Sequence, residues 1–215
     1  MGRPSFDLED RAGGVAIGID EAGRGCLAGP VVAAAAWINR AEFEPGLLAR
    51  INDSKKLSRP RREGVYAALK ALPESVFKCA FARIEAEEID RINILRAALK
   101  AMKEAAEKLG IAWDVALVDG NALPDIPRAR AVVKGDAKSY SIAAASIVAK
   151  CEKDFALDEI AKLYPLYGFE KNAGYGTAEH MAALAAHGAC PEHRKSYAPI
   201  KTLRKRPRGV RIALC

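Results

Sequence analysis

An α/β fold is what this 215-residue chain predicts, and three observations predict it. Short apolar runs of strand length alternate with longer stretches of helical period, the pattern of a layered α/β domain. Three of the runs lead into carboxylates, at Asp20-Glu21, Asp119 and Asp136, so a sheet that placed these ends side by side would gather acids along one edge. Half of the residues are hydrophobic, enough to bury a core. No run of 18 apolar residues and no signal-type leader is present, so neither membrane spanning nor secretion is expected. Five scattered cysteines without a C-x-x-C predict neither a disulfide framework nor a zinc site, and fit a reducing cytoplasm.

Taken in order, Val15–Ile19 is an apolar strand that runs into Asp20 and Glu21, and Pro30–Ile38 is a second, plausible as its antiparallel neighbour. Side chains alternate faces along a strand, so the two acids share a site only if the strand ends or bends there. Gly23 and Gly25 permit the bend, and Gly23-Arg24-Gly25 can grip a phosphate or sugar with main chain and a guanidinium. An Asp-Glu pair before a turn is also common as a solvated surface feature.

Residues 53–58 read D-S-K-K-L-S: Ser58 is a candidate helix cap, Pro60 lies in the first turn, and Val65, Leu69 and Leu72 form the apolar stripe. Lys55 and Lys56 then stand just ahead of a helix N-terminus, either as phosphate contacts or as solvated charge. Ser75–Ile84 is a third strand with Val76, Phe77 and Phe81 toward the core, followed by the acids Glu85–Asp90, read as a solvated helix start. Ile94 to Leu109 is an amphipathic helix closed by Gly110.

Trp113–Val118 is a short buried strand ending at Asp119-Gly120, with Asp114 at its opposite end. Asp125 sits between two prolines in a rigid loop. Ala131–Lys134 is a brief strand before Asp136, and Ser139–Leu163 is a long helix whose small residues, Ala143 to Ala149, allow close packing. Tyr164, Tyr167, Phe169 and Tyr175 lie among glycines and lysines, where they stack on a sugar or base or pack a loop. Thr177–Ala186 is the last helix; its His180 is either a helper in proton transfer or a core-edge residue.

The net charge of +7 resides in the tail: from Arg194 onward there are eight bases and no acid, so the preceding 193 residues sum to −1. Such a tail either grips a polyanion or keeps the chain in solution. The gathered acids call for cations, and two Mg²⁺ ions ~4 Å apart would clamp the attacking and leaving oxygens of a phosphodiester. No phosphate-binding G-x-x-x-x-G-K-S/T loop exists, which argues against a nucleotide-driven enzyme.

The blocks G-I-D-E-A-G-R-G-C-L-A-G-P-V-V-A-A-A, D-S-K-K-L-S, V-D-G, K-G-D-A-K-S-Y-S-I-A-A-A-S-I-V-A-K and G-Y-G-T-A-E-H closely resemble bacterial ribonuclease HII over roughly residues 14–200. The resemblance implies a ribonuclease H-like fold, a mixed central sheet flanked by helices with a helical C-terminal portion from about 140 to 200, and 201–215 as a basic tail. It implies hydrolysis of RNA in RNA-DNA hybrids and incision 5′ of single ribonucleotides in duplex DNA, leaving 3′-OH and 5′-phosphate, with Mg²⁺ or Mn²⁺ held by Asp20, Glu21, Asp119 and Asp136. It assigns 2′-hydroxyl reading to Gly23, Arg24 and Gly25, stacking on the junction deoxyribose to Tyr175, and backbone phosphate to Lys55 and Lys56. A cytoplasmic monomer is expected. The alternatives are a metal-independent nucleic-acid-binding module or another nuclease of the same broad fold.

Overall fold

A computed structural model describes residues 3–51 and 57–203. Lys55, Lys56 and the tail from 204 onward lie outside the described residues. The elements run α1 (Asp7–Ala12), β1 (Ala16–Ala22), β2 (Val31–Ile38), α2 (Pro45–Leu48), α3 (Arg59–Lys70), β3 (Phe77–Ile84), α4 (Ala86–Ile92), α5 (Ile94–Lys108), β4 (Val115–Asp119), β5 (Ala129–Val132), α6 (Tyr140–Leu163), α7 (Phe169–Asn172), α8 (Ala178–His187) and α9 (Ile200–Leu203). Three-residue 3₁₀ turns at Gly135–Ala137 and Pro165–Tyr167 precede α6 and α7.

The five strands form one mixed sheet in the order β3-β2-β1-β4-β5. β1 is antiparallel to β2, as its apolar pattern predicts, and parallel to β4, while β4 is parallel to β5. Parallel pairing at the centre brings the C-terminal ends of β1, β4 and β5 to the same edge. Asp114, at the start of β4, is accordingly at the other end, where its Oδ2 accepts from the Val15 amide at 2.9 Å.

Two helices sandwich the sheet because alternate residues of β1 and β2 are apolar on both faces. Ile17, Ile19, Val31, Ala33 and Ala35 face α5, whose Ala97, Ala98, Ala101, Met102, Ala105 and Ala106 are buried against them. Ala34 and Ala36 face α6, packed with Ala143, Ala144, Ile147 and Val148. The closest approach is at Gly18, where an added Cβ would lie 2.1 Å from the Ser141 carbonyl carbon. Only glycine lets the start of α6 cross β1 so near to the acids.

Some expected details shift. Phe81 is 37% exposed although it shares the α6 face with Phe77 and Ala34, because it lines an open groove beside Glu152 and Phe155 rather than the core. Ser58 occupies the cap position of α3 without a side-chain cap bond. β5 is Ala129–Val132 rather than 131–134, since Lys134 takes a left-handed φ of 56° that ends the strand. Asp90 is no mere solvated acid: its carboxylate accepts from the amides of Lys195 and Ser196 at 2.7 and 2.8 Å. Asp125 is exposed and pairs with Lys103 at 3.1 Å. α9 begins at Ile200, which is fully buried, so the helical portion extends into the first residues of the expected tail. Among the described residues, no helix is long and apolar enough to cross a membrane.

Candidate metal centre and nucleic-acid cleft

Asp20 lies within β1, on the face toward α6, in register with Ala34. Asp119 is the last residue of β4, and Asp136 lies in the 3₁₀ turn between β5 and α6. Oxygens of these three carboxylates all come within 4.8 Å of one another. The Gly135 amide donates to Asp119 Oδ1 at 2.6 Å, and a Cβ on Gly135 would meet Ile142 Cδ1 at 2.5 Å, so any side chain in this turn beside Asp136 would have to displace the Ile142 methyl. Asp20 Oδ1 in turn accepts from the Glu21 amide at 2.7 Å.

Glu21 occupies a different position from the other three acids. The strand continues to Ala22, so its side chain leaves by the opposite face, where Arg24 Nη1 pairs with its Oε1 at 3.2 Å. It still borders the same cleft, about 210 Å³ in volume, which is also lined by Asp20, Gly23, Arg24, Gly25, Ser146, Lys150 and Tyr175.

The electrostatics of the cluster are those of acids awaiting a cation. Burial pushes the Asp20 carboxyl well above the usual carboxylate range, and the charges of Glu21 and Asp119 push it further. Burial also raises Glu21, with Arg24 opposing. A hard, oxygen-only donor set that repels itself when empty fits a hard divalent cation such as Mg²⁺ or Mn²⁺.

The glycine turn and Tyr175 form the neighbouring wall. Gly23 has a φ of +96°, and a Cβ there would stand 2.9 Å from the Pro30 carbonyl oxygen. Gly174 has φ +81° and passes 2.6 Å, at its Cβ position, from the Ala28 carbonyl, which lets the Leu27 amide donate to its own carbonyl at 2.7 Å. That bond sets Tyr175 beside Gly25, with Cε1 of the ring 3.9 Å from a Gly25 Cβ position. The ring is 41% exposed, open to a ligand on one face. Burial, with Cys26 adding, pushes its hydroxyl up to about 12, so it stays a phenol.

Behind the ring is a buried charge network that sequence reading missed. Lys153 Nζ lies 4.9 Å from the Tyr175 ring centroid and donates to the Ala173 carbonyl at 2.8 Å. Asp154 receives Arg62, Lys150 and Lys153 at 2.8, 2.7 and 3.0 Å. Burial alone would raise Asp154, but Lys153 and Lys150 outweigh it and hold the carboxylate below its ordinary value. Ser146, Lys150 and Lys153 recur at helical spacing on the α6 stripe beyond Asp20; that periodicity was the available signal, masked by the alanines around it. His180, a candidate proton-transfer helper on sequence, is fully buried and bonded to His193, away from the acids.

Comparison with known proteins agrees with this geometry. The family model described as Ribonuclease HII matches residues 17–200. The chain is 52% identical over 199 residues to ribonuclease HII of Rhodospirillum rubrum, covering 92% of this chain and 90% of that one. It is 49% identical to that of Paramagnetospirillum magneticum, covering 92% and 96%. Among solved structures it resembles the ribonuclease HII of Archaeoglobus fulgidus in its complex with PCNA, at 25% identity and a TM-score of 0.69, covering 89% and 98%. Ribonuclease H2 from Pyrococcus horikoshii shares the fold at a TM-score of 0.71 and 24% identity, covering 89% and 100%. With its acids converged at one sheet edge and its sequence matched along nearly its whole described length, the chain belongs to the ribonuclease HII family and is a ribonuclease H.

Proposed function

We propose that this ribonuclease H, which acts on RNA-DNA hybrids as its family does, also incises duplex DNA on the 5′ side of single embedded ribonucleotides, leaving 3′-OH and 5′-phosphate ends. The observation that carries the reading is the convergence of Asp20, Asp119 and Asp136 within 4.8 Å, beside a cleft walled by Arg24 and Tyr175. Asp20, Asp119 and Asp136, with Glu21 on the flank, would hold two divalent ions, Mg²⁺ or Mn²⁺, which supply charge neutralisation and an activated water when bound.

The rest is the work of the chain itself. Gly23, buried at a φ of +96°, makes the turn, and the exposed Gly25 leaves backbone accessible to meet a 2′-hydroxyl, the group that distinguishes RNA from DNA. Glu21 pairs with Arg24 and thereby holds the guanidinium at the cleft rim, where it meets the strand being cut. The open face of Tyr175 stacks on the deoxyribose that follows the ribonucleotide. Lys150, at the cleft, and Lys55 and Lys56, which precede α3 in the sequence, hold backbone phosphate. We place this activity in the cytoplasm, in a single catalytic unit acting as a monomer.

Incubating the protein with a DNA duplex containing one ribonucleotide, with Mg²⁺ or with EDTA, tests the reading. A metal-dependent nick 5′ to the ribonucleotide is expected. Cutting of long hybrids without that nick would overturn the roles of Arg24 and Tyr175, and tight metal-independent binding without product would leave a binding module.

A further inference from the structure

The two walls of the cleft come from distant parts of the sequence, and one segment reaches both, the Arg24 turn directly and Tyr175 through His180. We infer that residues 190–197 form the element that sets the Arg24 turn and Tyr175 relative to each other, with Arg194 and His193 as positioning residues for substrate selection. This rests on the proposed reading of Arg24 and Tyr175.

Arg194 acts on the turn. Its side chain is fully buried, and its guanidinium donates to three backbone carbonyls, Nε to Gly29 at 3.0 Å, Nη1 to Arg24 at 3.1 Å and Nη2 to Pro30 at 3.0 Å. A buried guanidinium bound to neutral carbonyls, where ionic partners are the rule, is costly to desolvate. Its five fixed donors define the path of the loop in a way a flexible ammonium would not. Tyr197 lies under the guanidinium, accepts from Nη1 at 3.3 Å and donates its hydroxyl to the same Arg24 carbonyl at 2.9 Å. Two donors thus converge on the residue that presents its side chain to the cleft.

His193 acts on Tyr175 through His180. The Cys190 amide donates to His193 Nδ1 at 2.9 Å, with the Cys190 thiol 3.1 Å away, so that nitrogen is an acceptor and the proton sits on Nε2. His193 Nε2 faces His180 Nε2 at 2.9 Å, which must therefore accept. The proton of His180 is left on Nδ1, from which it donates to the Tyr175 carbonyl at 2.9 Å. Each tautomer follows from the bond before it. Both rings are fully buried among Tyr167 and Phe169, with centroids 4.8 to 6.4 Å apart, so neither can turn to another partner.

The segment itself is fixed from outside. The Arg194 amide donates to the Leu27 carbonyl at 2.8 Å and the Gly29 amide to the Glu192 carbonyl at 2.9 Å. Asp90 of α4 accepts from the amides of Lys195 and Ser196 and from Ser196 Oγ, at 2.7, 2.8 and 2.6 Å. A displacement of this segment is therefore felt at both walls.

The test uses Tyr197→Phe, which removes one hydroxyl, and His193→Asn, which keeps an acceptor for the Cys190 amide but loses the donor to His180; Arg194→Lys is the harsher third variant. Two readings are taken on the full-length protein: amide hydrogen exchange by peptide, and kcat/KM on a single-ribonucleotide duplex against a long RNA-DNA hybrid. Faster exchange confined to residues 23–30 in Tyr197→Phe and to 173–177 in His193→Asn is expected. With it should come about a tenfold loss on the single-ribonucleotide duplex, a loss on the hybrid below threefold, and an unchanged metal requirement. Unchanged exchange in those segments overturns the inference whatever the activity, and so does an equal loss on both substrates where Arg24→Ala and Tyr175→Ala do alter the preference. Arg24→Ala and Tyr175→Ala separate the two layers: if these leave substrate preference intact, the reading of the cleft falls, while local exchange still decides the positioning.

Discussion

At the scale of single residues, the decisive fact is that three carboxylates occupy a space where like charges oppose each other. Asp20 is pushed well above the carboxylate range, first by burial and then by the charges of Glu21 and Asp119. Asp20→Asn is therefore expected to lower turnover by at least about a thousandfold, since the proposed donor set for the cations is broken. In EDTA the same variant should be no less stable than the parent, and its Tm should rise by roughly 2–4 °C if about 1 kcal/mol of repulsion is relieved. Asp119→Asn should lose activity similarly; as at position 20, an amide oxygen still accepts the backbone N–H, here that of Gly135. Calorimetry with and without metal, beside a turnover assay, checks both; near-normal turnover in either variant would remove that acid from the centre. Asp20, Asp119 and Asp136 were legible in the sequence because each follows an apolar strand and the strands align. The separate position of Glu21, paired with Arg24, was not legible, because the strand's persistence to Ala22 is set by its pairing with Val32 on β2.

At the scale of elements, strands and long helices were readable from period and composition, whereas the partners of buried polar groups were not. His180 illustrates this: α8 was anticipated, but the thirteen-residue separation from His193 holds no pattern that pairs them. The pair has a measurable consequence. Burial and the adjacent His180 push His193 down to about 4, below the ordinary value of 6.5. The unfolded chain therefore takes up a proton below about pH 6.5 that the folded protein refuses until about pH 4, so this contribution to stability is present at neutral pH and is lost as pH falls through that window. From this group alone roughly 3 kcal/mol should disappear between pH 7 and pH 4. Urea unfolding across that range should show a shallower acid dependence in His193→Asn than in the parent; identical slopes would show that the pair does not titrate as described.

At the scale of the whole molecule, charge and fold divide the work. The near-neutral body supplies the sheet edge and the cleft, and the bases from residue 201 onward are proposed to supply a sequence-independent attraction to a polyanion. Because Ile200 is buried, the informative truncation removes 204–215 and leaves α9 intact. That deletion takes away Arg204, Lys205, Arg206, Arg208 and Arg211 and should flatten the slope of log affinity against log salt by up to about 4, with turnover at saturation little changed. An unchanged slope would show that the tail does not touch nucleic acid. The sequence by itself determined the alternation of strands and helices, the acids at strand ends, the glycine turn and the location of the positive charge, because these depend on local period, backbone freedom and composition. Tertiary structure decided which acids converge, how Lys153 and Asp154 back Tyr175, and how Arg194 reaches across more than 160 residues to the Arg24 carbonyl. Those contacts depend on the distance between chain segments remote in sequence, which only the packing of α6 and the C-terminal segment on the sheet defines.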